Sequence, residues 1–450
     1  MRRRRIGSAL VVGAALAAAA PVVSSDPPRP NVLLLTIDTL RADHMSGYGY
    51  ERATSPNLDR LMGSGIRFTQ ARTVEPLTAP ALCAMLTSSF PHENGATRNG
   101  LRMRQGLTSL PTLLQSEGYL TAAIVSNWTL RHKITGLADH FEEYDELLRR
   151  KRWLGLFSGE ADAAHLTDAA VEWLEHYSAS PERPFLMWVH YTDPHAPYKG
   201  HNEHLTDLGL TERRGKLTAI ERYDTEIAYT DHEVSRLLRR LAELGLTENT
   251  LIVFTSDHGE SLGEHDYWGH GRHLYEPTLR IPMALVWPGR IEPGVIEAPA
   301  SNIDLTPTIA GMLQIEQPDE FRGFDWTAVL AGSAPPSMDR ATQHQAHRGA
   351  VVSRHDSDIA RRAGLLEVGV VRGGYKEILR LKKDRKRWRF DLTADPGEQV
   401  NLADPGSDPT DGLRVWMEFV DFGLRQSDDV PPQPLDDETI EQLRALGYAD

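Results

Sequence analysis

The chain has 450 residues, 40% of them hydrophobic and 25% charged, a balance that suits a large soluble globular fold and excludes a disordered or fibrous one. Its formal net charge of −14 argues against nucleic acid as a bulk partner, because a phosphate backbone attracts positive surfaces. The single cysteine, Cys83, excludes an intramolecular disulfide and leaves core packing and metal as the means of holding the chain together.

In chain order, "MRRRR" is a basic start, "IGSALVVGAALAAAA" an apolar run and "PVVSSDPPRP" a polar, proline-rich exit. Residues 1–25 therefore read as a secretory signal peptide, with an uncleaved N-terminal anchor as the alternative. The expectation is an exported protein, periplasmic or extracellular, with no membrane span after signal removal. Short apolar runs then alternate with longer helical patterns, the signature of βαβ units and a mostly parallel sheet. "NVLLLTI" (31–37), "TAAIVS" (121–126), "FLMWVHYT" (185–192) and "LIVFTS" (251–256) read as buried strands. Residues 220–244 read as a helix with Ile220, Ile227, Val234, Leu237, Leu238, Leu241 and Leu244 on one face, closed by Gly245. Beyond a linker at "SAPPSMD", "YKEILRLKKDRKRWRFDLTADPGE" reads as a hairpin with a basic, solvated turn at 382–389. The expected organisation is an α/β domain over 30–335, a mostly parallel sheet flanked by helices, and a smaller α+β subdomain over 340–450.

The residues just past each predicted strand carry the chemistry. Asp38 comes after the first, Asn127 after the second, Asp193 and His195 after the third, and Asp257 and His258 after the fourth. Ligands of open parallel sheets bind beyond the carboxyl ends of the strands, so these residues are expected at one edge. Carboxylates with an imidazole suit Zn or Mn better than Ca, which prefers oxygen shells, though Ca stays open. His195 and His270 are candidates for acid–base work or for contact with substrate. In "EPLTAPALCAMLTSSFP", Thr78 suits a helix N-cap and Pro80 a first helical turn, which would put a hydroxyl at a helix N-terminus, where an anion is favoured. Cys83 lies roughly 140° around that helix from Thr78 and among apolar neighbours, so it reads as packing.

The segments "NVLLLTIDTLRADHMSGYGY", "TAPALCAMLTSSFPHENG", "DPHAPY", "LIVFTSDHGESLGEH", "LYEPTLRIPMALVWPG", "DLTPTIAGML" and "DLTADPGEQVNLAD" resemble, in order, the sulfatase family of the alkaline phosphatase superfamily over residues 30–405. The resemblance implies an alkaline-phosphatase-like α/β fold with a small C-terminal subdomain. It also implies one divalent metal ion held by Asp38, Asp257 and His258, with the nucleophile as a further ligand. The family's Cys/Ser-x-Pro-x-Arg signature, whose first residue is oxidised to formylglycine, falls on Thr78-Ala79-Pro80-Ala81-Leu82. Threonine cannot yield that aldehyde. Leu82 stands in place of the arginine, Asn127 and Thr129 in place of a Lys and a His, and Thr39 in place of a second aspartate. The pattern is similar to that of the threonine-nucleophile phosphoethanolamine transferases and lipoteichoic acid synthases. It implies hydrolysis of phosphate or phosphonate esters through a threonyl intermediate on Thr78, with His195, His270 and Asn127 on the substrate. Two alternatives stay open: a sulfatase working without formylglycine, and a non-catalytic anion-binding member. The expected partner is an anionic ester, as a small molecule or a glycan or lipid headgroup.

Overall fold

Four runs predicted as buried strands lie side by side at the centre of one sheet, and their residue patterns show why. Each is apolar on both faces, so each must be covered on both sides. The computed structural model describes residues 29–151, 157–211, 215–348, 364–381, 385–404 and 406–426. The leader at 1–25 and the tip of the basic turn at 382–384 lie outside the described residues. The main sheet contains β1 (Asn31–Ile37), β2 (Ile66–Phe68), β3 (Leu120–Val125), β4 (Glu143–Glu146), β5 (Phe185–Tyr191), β6 (Thr250–Ser256), β7 (Met283–Val286) and β8 (Gly294–Ile296). Their order across the sheet is β8-β2-β7-β6-β1-β5-β3-β4, and β7 alone runs against its neighbours.

Alternation assigns the two faces. Val32 and Leu34 of β1 join Leu186 and Trp188 of β5 in a core that includes Leu82, Cys83 and Leu86 of α1 (Thr78–Thr87). Leu33, Leu35 and Ile37 point the other way. They meet Leu166, Ala170 and Leu174 of α2 (Ala163–Ala179) and Ile227, Val234, Leu237 and Leu241 of α3 (Ala219–Glu243). The predicted face of α3 is thus the buried one, except that Ile220 at its start is 37% exposed. Thr218 and Glu221 form the reciprocal cap that fixes where α3 begins.

A second sheet of four antiparallel strands comes next in the chain, β9 (Thr342–His347), β10 (Leu365–Arg372), β11 (Tyr375–Arg380) and β12 (Arg387–Asp391). The hairpin read from the sequence is β11–β12, and Arg387 and Arg389 belong to its second strand instead of its turn. Helix α4 (Asp411–Gln426) lays Leu413, Trp416 and Val420 across this sheet and against Val74, Ala84 and Phe90, which lie on and around α1. Beside β11, Arg72 forks onto Glu276 (2.9 Å to each oxygen), and Lys376 reaches both Glu276 (3.0 Å) and Glu398 (2.5 Å). All four side chains are largely buried.

Candidate active site

The carboxyl ends of β1 and β6 deliver Asp38 and Asp257–His258 to one buried point, as the sequence predicts. Ligand atoms of these three residues lie within 4.8 Å of one another. His258 Nε2 is 3.5 Å from Asp257 Oδ2 and 4.0 Å from Asp38 Oδ1. Among the described residues neither Asp38 Oδ1 nor Asp257 Oδ2 has a hydrogen-bond partner, although both are buried. An unpartnered buried carboxylate oxygen costs several kcal/mol unless a cation meets it, so the donor set fits a divalent ion. Asp257 Oδ1, by contrast, is taken by the N–H groups of Thr39 (3.1 Å) and His258 (2.7 Å). Thr39 supplies its N–H from a left-handed backbone (φ 55°), an uncommon conformation for a β-branched residue, and its carbonyl is held by the Tyr223 hydroxyl. Burial, then the charge of Asp257, holds the Asp38 carboxyl well above the usual range, and burial raises Asp257 as well. Glu260, two residues past His258 and equally buried, is pushed up to about 8 by desolvation.

Thr78 stands at the start of α1, with its Oγ1 3.3 Å from His258 Nε2. It is the first helical residue, not the cap: Leu77 before it is extended and offers no side-chain cap. Asn99 takes over part of that task, its Oδ1 accepting the Ala79 N–H at 3.2 Å. Nδ2 of Asn99 is buried without a partner among the described residues. Cys83 is fully buried in the core, and desolvation pushes its thiol far above the ordinary range. It faces no part of the site.

Three imidazoles share one arrangement. His258 Nδ1 lies 2.9 Å from the Gly259 carbonyl, His195 Nδ1 2.6 Å from the Ala196 carbonyl and His270 Nδ1 3.2 Å from the Pro76 carbonyl. A carbonyl only accepts, so each ring carries its proton on Nδ1 and turns an Nε2 lone pair to the site. The Nε2 atoms of His195 and His270 are 3.3 Å apart, and the rings of His258 and His270 have centroids 4.4 Å apart. Burial holds His195 and His258 at about 3, and His270 well below its usual value, so all three are neutral. The loop carrying His258 is tightly confined: a Cβ at Gly259 would sit 2.1 Å from the Pro277 carbonyl oxygen.

Asn127 is near the site but engaged within it. Its Nδ2 donates to Asp38 Oδ2 at 2.5 Å, and its Oδ1 accepts from the N–H (2.8 Å) and hydroxyl (2.7 Å) of Thr129. Two neighbours escape a sequence reading. His190 sits inside the apolar run of β5, where it passes for core, and Asn99 lies in an irregular loop 21 residues past Thr78.

The family described as Sulfatase matches residues 30–315, well over half of the chain. The chain belongs to the sulfatase family. It is a hydrolase acting on ester bonds, and sulfatase-family members bind a divalent metal ion, for which the Asp38, Asp257 and His258 cluster has room. Residues 263–410 also match the family described as N-sulphoglucosamine sulphohydrolase, C-terminal. The N-acetylglucosamine-6-O-sulfatase of Bacteroides thetaiotaomicron is 25% identical, over 86% of this chain and 85% of that protein. Solved sulfatase-fold structures include one in complex with its substrate D-glucosamine-2-N,6-O-disulfate (TM-score 0.69, 22% identity, 90% of this chain and 99% of that one). The phosphonate monoester hydrolase of Agrobacterium radiobacter superposes with a TM-score of 0.68 at 19% identity, over 89% of this chain and 96% of that one. Among the described residues no helix is long and apolar enough to cross a membrane.

Proposed function

We propose that this sulfatase-family hydrolase cleaves phosphate or phosphonate esters through a covalent intermediate on Thr78. The observation that carries the reading is a threonine hydroxyl at the start of a buried helix, 3.3 Å from the imidazole of a carboxylate–histidine metal cluster. Asp38, Asp257, His258 and the Thr78 oxygen would hold the metal. When bound, a divalent ion lowers the pKa of a ligating hydroxyl and offsets charge on the transferring group. His258 favours Zn or Mn over Ca.

The chain's own residues then divide the work. Thr78 Oγ attacks phosphorus in line, the Thr78 O–P bond forms, and the bond to the ester's leaving oxygen breaks. The hydroxyl proton passes to an Nε2 lone pair of the His195–His270 pair and from there to the leaving oxygen. Water next adds to phosphorus, the Thr78 O–P bond breaks, and the threonine regains its proton. Asn127 keeps Asp38 oriented. The tetrahedral anion would rest beside Thr78 at the N-terminal end of α1, the end at which the helix dipole favours negative charge. The substrate would be an anionic ester, as a small molecule or on a glycan or lipid headgroup, met after export.

The family match itself favours a second reading, sulfate ester hydrolysis by the same threonine. The two separate by turnover of aryl phosphate, phosphate diester, phosphonate monoester and aryl sulfate with Zn- and Mn-loaded protein. Phosphorus esters are expected to lead, and a preference for sulfate by orders of magnitude would overturn that choice. Thr78→Ala is expected to lower kcat at least about a thousandfold on every ester. Full activity in that variant rules out both readings.

A further inference from the structure

His190 differs from the three imidazoles already described. It lies in β5 on the sheet face that α1 covers, fully buried, beside Thr36 of β1. Thr36 Oγ1 accepts the indole N–H of Trp188 at 2.9 Å and lies 2.8 Å from His190 Nδ1. The indole can only donate, so the hydroxyl's single hydrogen is left to point at His190 Nδ1. Turned the other way, that hydrogen would be buried with no acceptor among the described residues, which is costly. His190 Nδ1 is therefore the acceptor, and its proton sits on Nε2. That Nε2–H is buried and makes no hydrogen bond among the described residues, and Nε2 lies 3.9 Å from Asp38 Oδ2.

Asp38 thus has two differently furnished oxygens. Oδ1 faces His258 and Asp257, while Oδ2 accepts from the Asn127 amide at 2.5 Å and has His190 Nε2 3.9 Å away, an electrostatic contact beyond hydrogen-bond reach. We infer that His190 is a positioning residue for the metal. A relay from Trp188 through Thr36 fixes it as an N–H donor, and it steadies Asp38 Oδ2 so that Oδ1 is presented to the ion. The inference rests on the reading that Asp38, Asp257 and His258 hold that ion. It gives His190 the opposite duty to His258: one imidazole offers its lone pair to the metal, and the other offers its proton to the metal's carboxylate. Partners of this outer kind change metal affinity by about 10- to 100-fold when removed.

The test is the dissociation constant for Mn²⁺ or Zn²⁺ alone, by calorimetry or chelator competition, on the full chain and its variants. His190→Ala is expected to weaken binding about 10- to 100-fold, and His190→Gln, whose amide can restore the donor, to recover most of it. Thr36→Val, which keeps the shape but releases the tautomer, is expected to fall between them, and it carries the test if His190→Ala does not fold. Wild-type affinity in both His190→Ala and Thr36→Val overturns the inference, as does His190→Gln binding as weakly as His190→Ala, which would indicate packing alone. Asp257→Asn separates the two levels. If it abolishes binding while His190→Ala does not weaken it, the metal site stands and the role of His190 falls. If the wild type takes up no ion, both fall.

Discussion

Among the described residues, two clusters of buried charge are built on opposite principles. Beside β11, two bases meet two acids: Arg72 and Lys376 with Glu276 and Glu398. Arg72 and Lys376 pull the Glu276 carboxyl below its ordinary range against the effect of burial, while burial outweighs Lys376 at Glu398 and leaves it raised to about 7. At the ends of β1 and β6, Asp38, Asp257 and Glu260 gather around neutral imidazoles; burial raises all three pKa values, and the charge of Asp257 raises those of Asp38 and Glu260 further. A buried cluster that neutralises itself is a structural joint. One that leaves like charges and unpartnered oxygens together is unfinished without a cation, which is the mark of a site.

The difference can be broken from either side. The largest effect is expected at the site: Asp257→Asn should weaken metal binding at least about a hundredfold, yet leave the metal-free chain melting no lower than wild type. Calorimetry and a melt in chelator would show it, and a metal-free protein that melts much lower would place Asp257 with the structural charges. At the cluster beside β11 the signs reverse. Lys376→Met removes one base from a neutral set and should cost about 3–5 kcal/mol in urea unfolding while metal affinity stays unchanged. Unaltered stability there would contradict the reading of a joint.

A smaller effect comes from pH. Glu260 ionises at about 8 in the folded chain, against about 4.3 unfolded, so the folded state holds a proton that the unfolded state has lost. Stability of the metal-free chain must then fall as pH rises toward 8. His195 and His258, held at about 3, act the other way and lower stability as pH drops below roughly 6.5, where the unfolded imidazoles gain protons. Between about pH 6.5 and 8 the imidazoles no longer contribute and the raised carboxyls, Asp193 and Glu398 at about 7 among them, all act in the direction of Glu260, which contributes up to about 2 kcal/mol across the window. Melting temperature in chelator should decline through that window, less steeply in Glu260→Gln. A flat wild-type profile, or a variant as steep as wild type, would refute this.

Much of this is legible from residues alone. The strand at 31–37 is found at those bounds, the runs read at 185–192 and 251–256 each differ by one residue at one end, and the run read at 121–126 is shifted by one residue to 120–125, as strand ends commonly are. Asp38, Asp257 and His258 converge because strands that run parallel end at one edge. The cap of α1 departs from the expectation because Thr78 has the right chemistry for an N-cap but comes after an extended Leu77 that occupies the position. His190 and Asn99 stay hidden for different reasons. A polar residue inside an apolar strand looks like tolerated core until its neighbour across the sheet is known. A loop asparagine shows its use only when the chain folds back on the helix it caps.

Gly259 gives the site a further property, one of tolerance to mutation. With the Pro277 carbonyl 2.1 Å from where a Cβ would be, and the Arg41 side chain at 3.3 Å, the position admits glycine and no larger residue. The clash is with backbone, which cannot rotate away as a side chain can. Any replacement must therefore move either the segment at Pro277 or the peptide that joins His258 to Glu260. A gene library randomised at this codon and selected for turnover should return glycine alone, so drift can reshape the substrate's surroundings while the spacing between this imidazole and its carboxylates stays frozen.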